Sequence, residues 1–229
     1  MSVDDVYLKQ FNFMSMRKHL FTHGGLIIII CFLGGLTTCM AQTGKTRPDK
    51  LYFRSGFGFS FPTNESNDYL STKFSTSLGL ILALGKGPLF LYPKLDLNAF
   101  GFDQLISDPE HQTLGKNGRA TTYLVNMALG YRKSVGKIGY YGFLGAGGGM
   151  VLTPRVNVSE DGTIATMTNK ASGMPIIETG IGLDYSLGNT QLFMEAGYLL
   201  GLSHLQGKSF QALPVNVGVK TNISRVFFK

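Results

Sequence analysis

From Leu51 onward, apolar and polar positions alternate one for one, and the alternation recurs in eight segments at intervals of roughly 20 residues. In the first, Phe53, Phe57, Phe59 and Phe61 fall on one face and Arg54, Gly56, Gly58 and Ser60 on the other. A helix would mix these sets, whereas a strand separates them. The second segment sets Phe74, Leu78, Leu80, Leu82 and Leu84 against Ser75, Ser77, Gly79 and Ala83, with Ile81 out of step. The third opposes Leu89, Leu91, Leu95 and Leu97 to Lys94, Asp96 and Asn98. Pro93 in its middle predicts a bulge, because proline gives a ladder no N–H. In the fourth, Tyr123, Val125, Met127, Leu129 and Tyr131 oppose Asn126, Ala128, Gly130 and Arg132.

The fifth segment, 138–152, contains Gly145, Gly147, Gly148 and Gly149, which blur its facing. A phosphate loop is disfavoured because no Gly-Lys-Ser/Thr and no helix follow; strand glycines mark bending or close backbone approach. The sixth sets Thr179, Ile181, Leu183, Tyr185 and Leu187 against Glu178, Gly180, Gly182, Asp184 and Ser186. The seventh sets Leu192, Met194, Ala196, Tyr198, Leu200 and Leu202 against Glu195, Gly197 and Gly201, with Phe193 and Leu199 apolar on that second side. The eighth sets Val215, Val217, Val219, Thr221 and Ile223 against Asn216, Gly218, Lys220 and Asn222.

Short turns at Gly85-Lys86-Gly87, Ser134-Val135-Gly136 and Gly188-Asn189 alternate with long loops at 63–71, 103–120, 154–172 and 204–212. The pattern predicts an all-β fold: an eight-stranded antiparallel up-and-down transmembrane β-barrel, with both termini and the short turns at the periplasmic end. A soluble barrel would put its apolar face inside. Here one face holds Arg54, Lys94, Asp96, Arg132, Glu178, Asp184, Glu195 and Lys220, four charges of each sign among glycine, serine and asparagine, and the other is nearly free of charge. Small residues suit a crowded lumen, and the apolar face suits lipid. These eight residues are the candidate site, a lumen charge network expected to pair Glu195 with Lys220, and Asp184 with Arg54, Arg132 or Lys94.

Composition agrees with a membrane barrel. Charged residues make up 15% of the 229, against about 25% in soluble domains, and glycine numbers 30. The net charge of +7 raises nucleic acid as a partner, but the basic residues are scattered and no stacking motif accompanies them. Arg17, Lys18 and His19, the apolar run Gly25 to Leu36, and Cys39-Met40-Ala41 before Gln42 read as a cleaved export signal; the run is too short to span a bilayer. Residues 1–41 are therefore an N-terminal extension and signal peptide, with Met14 or Met16 a more ordinary start, and 42–229 the barrel domain. Leu36-Thr37-Thr38-Cys39 also resembles a lipobox, though Thr38 suits one poorly. Both cysteines, Cys31 and Cys39, fall in the segment to be removed, so no disulfide or cysteine-metal site is expected.

Phe53-Arg54-Ser55-Gly56-Phe57-Gly58-Phe59, Tyr140-Tyr141-Gly142-Phe143-Leu144-Gly145-Ala146-Gly147-Gly148-Gly149 and Glu195-Ala196-Gly197-Tyr198 resemble the small outer-membrane β-barrel family that includes PorT-like proteins. The resemblance implies a Gram-negative outer-membrane address and no particular activity. Such barrels usually end in an aromatic residue read by the barrel-assembly machinery; here Val226-Phe227-Phe228 is followed by Lys229.

Ser203-His204 with Glu195 is the one set from which a lipid A deacylase-like enzyme could be written, and His111 with Asp108 and Glu110 the one candidate metal cluster. The simpler reading makes both polar loop material, with no cofactor. The expected protein is non-enzymatic, of structural or interaction type. Its partners are outer-membrane lipid, the assembly machinery and another envelope protein contacted by loops bearing Asn64, Asp103, Lys116, Arg119, Asp161 and Lys170.

Overall fold

The computed structural model describes residues 51–224 apart from 112 and 160. The export signal expected within 1–41, both cysteines, and the C-terminal residues 225–229 lie outside the described residues.

Eight strands follow in chain order: β1 (Leu51–Pro62), β2 (Leu70–Ala83), β3 (Leu89–Phe102), β4 (Gly118–Val135), β5 (Ile138–Val158), β6 (Ala165–Ser186), β7 (Thr190–Leu205) and β8 (Lys208–Asn222). Each pairs antiparallel with the next and β8 pairs with β1, closing the sheet into the barrel that the alternation predicts. A short 3-10 helix, Asn64–Asp68, joins β1 to β2.

Facing follows the period of two. Phe57 is 60% exposed and Ile181 70%, whereas Arg54, Glu178 and Lys220 are fully buried. Water does not tolerate an apolar skirt running round a whole molecule, because exposed patches rarely exceed a few hundred Å². Hydrocarbon does, and it forbids open sheet edges, so the closed barrel is a transmembrane one. Tyr131, Tyr140 and Tyr185 stand outward near the turn end, and Phe59, Phe61, Phe74, Tyr123 and Tyr198 near the other, the positions of interfacial girdles.

The structure departs from the sequence reading in four places. Pro93 causes no bulge. It sits opposite Met127 in unbroken register, and on the β2 side the pairing merely lapses between Gly79–Lys94 and Leu82–Leu91. The Leu84 N–H bonds the Leu89 carbonyl and the Arg132 N–H that of Pro88, so odd positions of β3 face β2, where the missing N–H falls. The bulge lies instead between Thr72 and Ser75 of β2.

Secondly, most of the expected loop 154–172 is strand, since β5 and β6 stay paired out to Val158–Ala165. Thirdly, the expected loop 204–212 is a tight hairpin whose turn residues Gln206 and Gly207 have φ of +56° and +77°, as a type I′ turn requires. Both stretches lie beyond the lipid belt, where strands need no apolar alternation. Ser134 and Val135, expected in a turn, are the last residues of β4.

The glycines of β5 now have a reason. A Cβ on Gly147 would lie 2.0 Å from the Val125 carbonyl oxygen and one on Gly149 1.8 Å from that of Tyr123. At the β1/β8 seam, opposite in the ring, Gly58 would meet the Val215 oxygen at 1.8 Å and Gly218 that of Ser55 at 2.1 Å. Gly58→Val should therefore prevent closure or lower the unfolding free energy of the micelle-refolded barrel, measured in urea, by roughly 1–3 kcal/mol or more. Gly87→Ala, with nothing within 4 Å of the new methyl, should leave it unchanged.

Candidate functional site

Inward positions of six strands deliver the eight charges: Arg54 from β1, Lys94 and Asp96 from β3, Arg132 from β4, Glu178 and Asp184 from β6, Glu195 from β7 and Lys220 from β8. They form two groups. In mid-barrel Arg54 donates to Glu195 and to the Tyr92 hydroxyl, and Lys94 donates to Glu178 with Asp96 at 3.2 Å and Glu195 at 3.8 Å. Tyr141 donates to Glu195 (2.8 Å) and Asn126 to Glu178 (2.7 Å). Nearer the turns, Lys220 donates to Asp184, with Arg132 at 3.1 Å from the same carboxylate and bonded to Gln191 (2.8 Å).

Asp184 thus meets Arg132, but the expected Glu195–Lys220 pair is not formed, and Asp184 meets neither Arg54 nor Lys94. The register explains the exchange. Glu195 faces Asn216 across β7/β8, and Lys220 faces Gln191, four residues nearer the turn end. Arg54 and Lys220 are themselves directly opposite across β1/β8.

The lumen is far more aromatic than its sequence face suggested. Phe90 lies over Gly130, Tyr141 over Gly182, Phe143 over Gly180 and Tyr92 over Gly79, each ring resting where a Cβ on the neighbouring strand would collide. Arg54 stacks on Phe193 at 3.7 Å and the Lys220 ammonium sits 4.0 Å from the Tyr141 ring centroid. At the outer end Tyr69, Phe100, Phe102, Leu124, Leu199 and Phe210 form an apolar plug. Phe90 and Tyr92 precede Pro93 and were hidden in an apparently continuous apolar run; Phe210 was hidden in a supposed loop.

Above the plug the connections are tied together. Asp108 meets His111 Nδ1 (2.9 Å), Arg155 Nε (2.9 Å) and Lys170 Nζ (3.2 Å), and His111 Nε2 reaches Thr168 (3.0 Å), fixing the 103–117 loop against β5 and β6. The contact with His111, backed by the two cations, holds the Asp108 carboxyl well below the usual carboxylate range. Glu65 is lowered likewise by the N–H and hydroxyl of Ser209 (2.9 and 3.1 Å). A polar cleft of about 290 Å³ opens between the stretch from Asn67 to Lys73 on one side and Gly101, Asp103, Asn117 and Gly118 on the other.

His204 and Glu195 are not brought together. Glu195 is spent on Arg54 and Tyr141 in mid-barrel, whereas His204 is exposed beside the β7–β8 turn. Asp108 and His111 do meet, but Glu110 contributes only its backbone carbonyl, to Asn157. Among the described residues no group of three or more His, Cys, Asp or Glu is arranged to hold a metal ion.

No family model matches the chain, and neither does any curated protein. Among solved structures it is similar to Neisserial surface protein A (12% identity, TM-score 0.47), covering 75% of this chain and 96% of that one. It is also similar to Ail, the attachment invasion locus protein of Yersinia pestis (13%, TM-score 0.39, 75% and 99%), and to the N-terminal β-barrel domain of Pseudomonas aeruginosa OprF (14%, TM-score 0.39, 75% and 96%).

Removing one member of a buried pair strands the other, at a cost of about 3–5 kcal/mol. Arg54→Met should lose that much in urea unfolding of the refolded barrel, and Arg54→Met with Glu195→Gln should recover most of it. At the mouth, a lowered Asp108 means stability fully present above about pH 4 and lost as the pH falls through the lowered value. Protease nicking within 103–117 should rise as the pH drops below 4, and Asp108→Asn should show the same nicking at neutral pH.

Proposed function

We propose that this protein is an integral outer-membrane barrel of structural or interaction type, related to the PorT-like barrels, whose working surface is its outer mouth. The aromatic-glycine strand pattern supports the family reading. A lipid-facing β-barrel resides in the outer membrane of a Gram-negative cell. Its partners on this reading are outer-membrane lipid around the belt, the barrel-assembly machinery during insertion, and another envelope protein at the mouth.

One observation carries the proposal: the lumen is occupied by the chain's own side chains, a charge-balanced network below an apolar plug. Such an interior offers no aqueous path, which leaves the connections at the mouth to meet partners. The alternative, a lipid-modifying enzyme on this scaffold, would need a nucleophile, a base and a carboxylate in mutual reach. His204 and Glu195 lie apart, which favours the interaction reading.

Three measurements test it. Reconstituted in planar bilayers, the protein should give no steady conductance. Lipid A from cells with and without it should have the same acyl pattern by mass spectrometry, and a difference abolished by His204→Ala would establish the enzyme instead. Extraction in mild detergent should bring down a stoichiometric envelope partner.

A further inference from the structure

The strands around the mouth end at different heights. The β6/β7 ladder stops at Ile176–Gly201, yet β6 continues outward to Ala165, paired among the described residues with β5 alone. Two backbone bonds at the ends of the β5/β6 ladder, from Ser159 N–H to Ile164 (2.9 Å) and from Ser186 N–H to Lys137 (2.8 Å), fix the alternation. Even-numbered residues of β6 bond to β5 and odd-numbered ones point away. The next odd residue, Leu187, duly gives its N–H to Thr190 at the start of β7. Beyond Ile176, Ala165, Met167, Asn169, Ala171 and Gly173 point their N–H and C=O groups toward no strand among the described residues.

The sequence shows why the ladder ends. Pro175 is odd-numbered, so the N–H it lacks is one that β7 would have accepted. The β7–β8 tip then shifts register between Gly201 and His204 and turns over the mouth. There Gln206 Oε1 accepts the Leu105 N–H (2.6 Å) and its Nε2 donates to the Asp103 carbonyl (3.2 Å). The opposite edge of the projecting hairpin is covered, with Thr113 donating to the Val156 carbonyl (2.7 Å). Edges are normally blunted by prolines, bulges or outward charges. Between Ala165 and Met174 the single charge is Lys170, and it is turned onto Asp108.

We infer that the free edge of β6, Ala165–Gly173, is a strand-addition site for an extended segment of another polypeptide outside the cell. This deepens the interaction reading above and rests on it. The hairpin has an apolar outer face, where Val156 pairs with Met167, Val158 with Ala165 and Leu152 with Ala171, and a polar inner face of Thr166, Thr168, Lys170 and Ser172. An incoming strand with alternating apolar and polar residues continues both faces, with Met167, 69% exposed, as its anchor. A second copy in the same bilayer does not fit. Identical edges pair only when antiparallel, and β6 runs from mouth to turn end in every copy of one membrane.

The test uses the full chain in lipid nanodiscs and a fluorescent peptide of alternating threonine and valine with lysine ends. Anisotropy should show binding, and Asn169→Pro should weaken it at least about tenfold, because this proline removes an N–H facing away from β5. Asn169→Thr should bind as wild type, and a peptide N-methylated at alternate residues should not bind. Should Asn169→Pro fail to fold, amide exchange at Met167 and Ala171 serves instead: fast alone, slowed by peptide. No binding, equal binding of the N-methylated peptide, indifference to Asn169→Pro, or cross-linking of the edge to another copy of itself would overturn the site. If an envelope partner still co-purifies with Asn169→Pro, the edge is wrong and the interaction reading stands. If peptide binds but no partner co-purifies, the interaction reading fails.

Discussion

Eleven residue pairs between β1 and β8, from Tyr52 opposite Asn222 to Pro62 opposite Ala212, turn this sheet into a ring. In hydrocarbon an unpartnered N–H or C=O costs several kcal/mol, and only closure satisfies the two edges that an open sheet of eight strands would leave. Once the ring exists, the period of two becomes a division between lipid and lumen. A side chain's parity then decides whether it meets acyl chains, as Phe57 does, or other protein groups, as Arg54 does. Outside the lipid that constraint lapses, and there the structure tolerates the open edge of β6.

Within the ring, charge and shape are settled together. Four cations and four anions share a space from which most water is excluded, so each must find an opposite charge within reach. Their positions are held by rings: Tyr92 and Tyr141 offer hydroxyls to the central pair, and Phe193 supports Arg54 from beneath. Those rings fit because glycine occupies the adjoining inward position on the next strand. Bare backbone and bulky aromatic are thus complementary, and neither is explained without the other.

The barrel was readable because lipid imposes a simple rule on every strand that crosses it. Strand number and order follow from alternation, as do the facing of every strand but the glycine-rich fifth and the inward placement of the eight ionised residues. Pairing among them was not readable. Partnership depends on stagger between strands, and a four-residue offset moved Lys220 from Glu195 to Asp184. The strand above the belt escaped for another reason: its outward row, Ala165, Met167, Asn169, Ala171 and Gly173, holds one large apolar side chain, too weak a face to stand out from a loop. Phe90, Tyr92 and Phe210 escaped because an inward aromatic and an outward one look alike in a run of apolar letters.

Arg54 and Lys220 stand directly opposite one another across the seam that completes the ring. Two like charges in that position repel, and neither β1 nor β8 carries an acid within the network to separate them. Their counter-charges come from elsewhere, Glu195 on β7 and Asp184 on β6. The like-charge contact at the join between the first and last strands is therefore compensated only by the sixth and seventh. The seam of the ring thus depends electrostatically on strands that take no part in its hydrogen bonds, and a shift of β6 or β7 out of register would leave two cations facing each other across it.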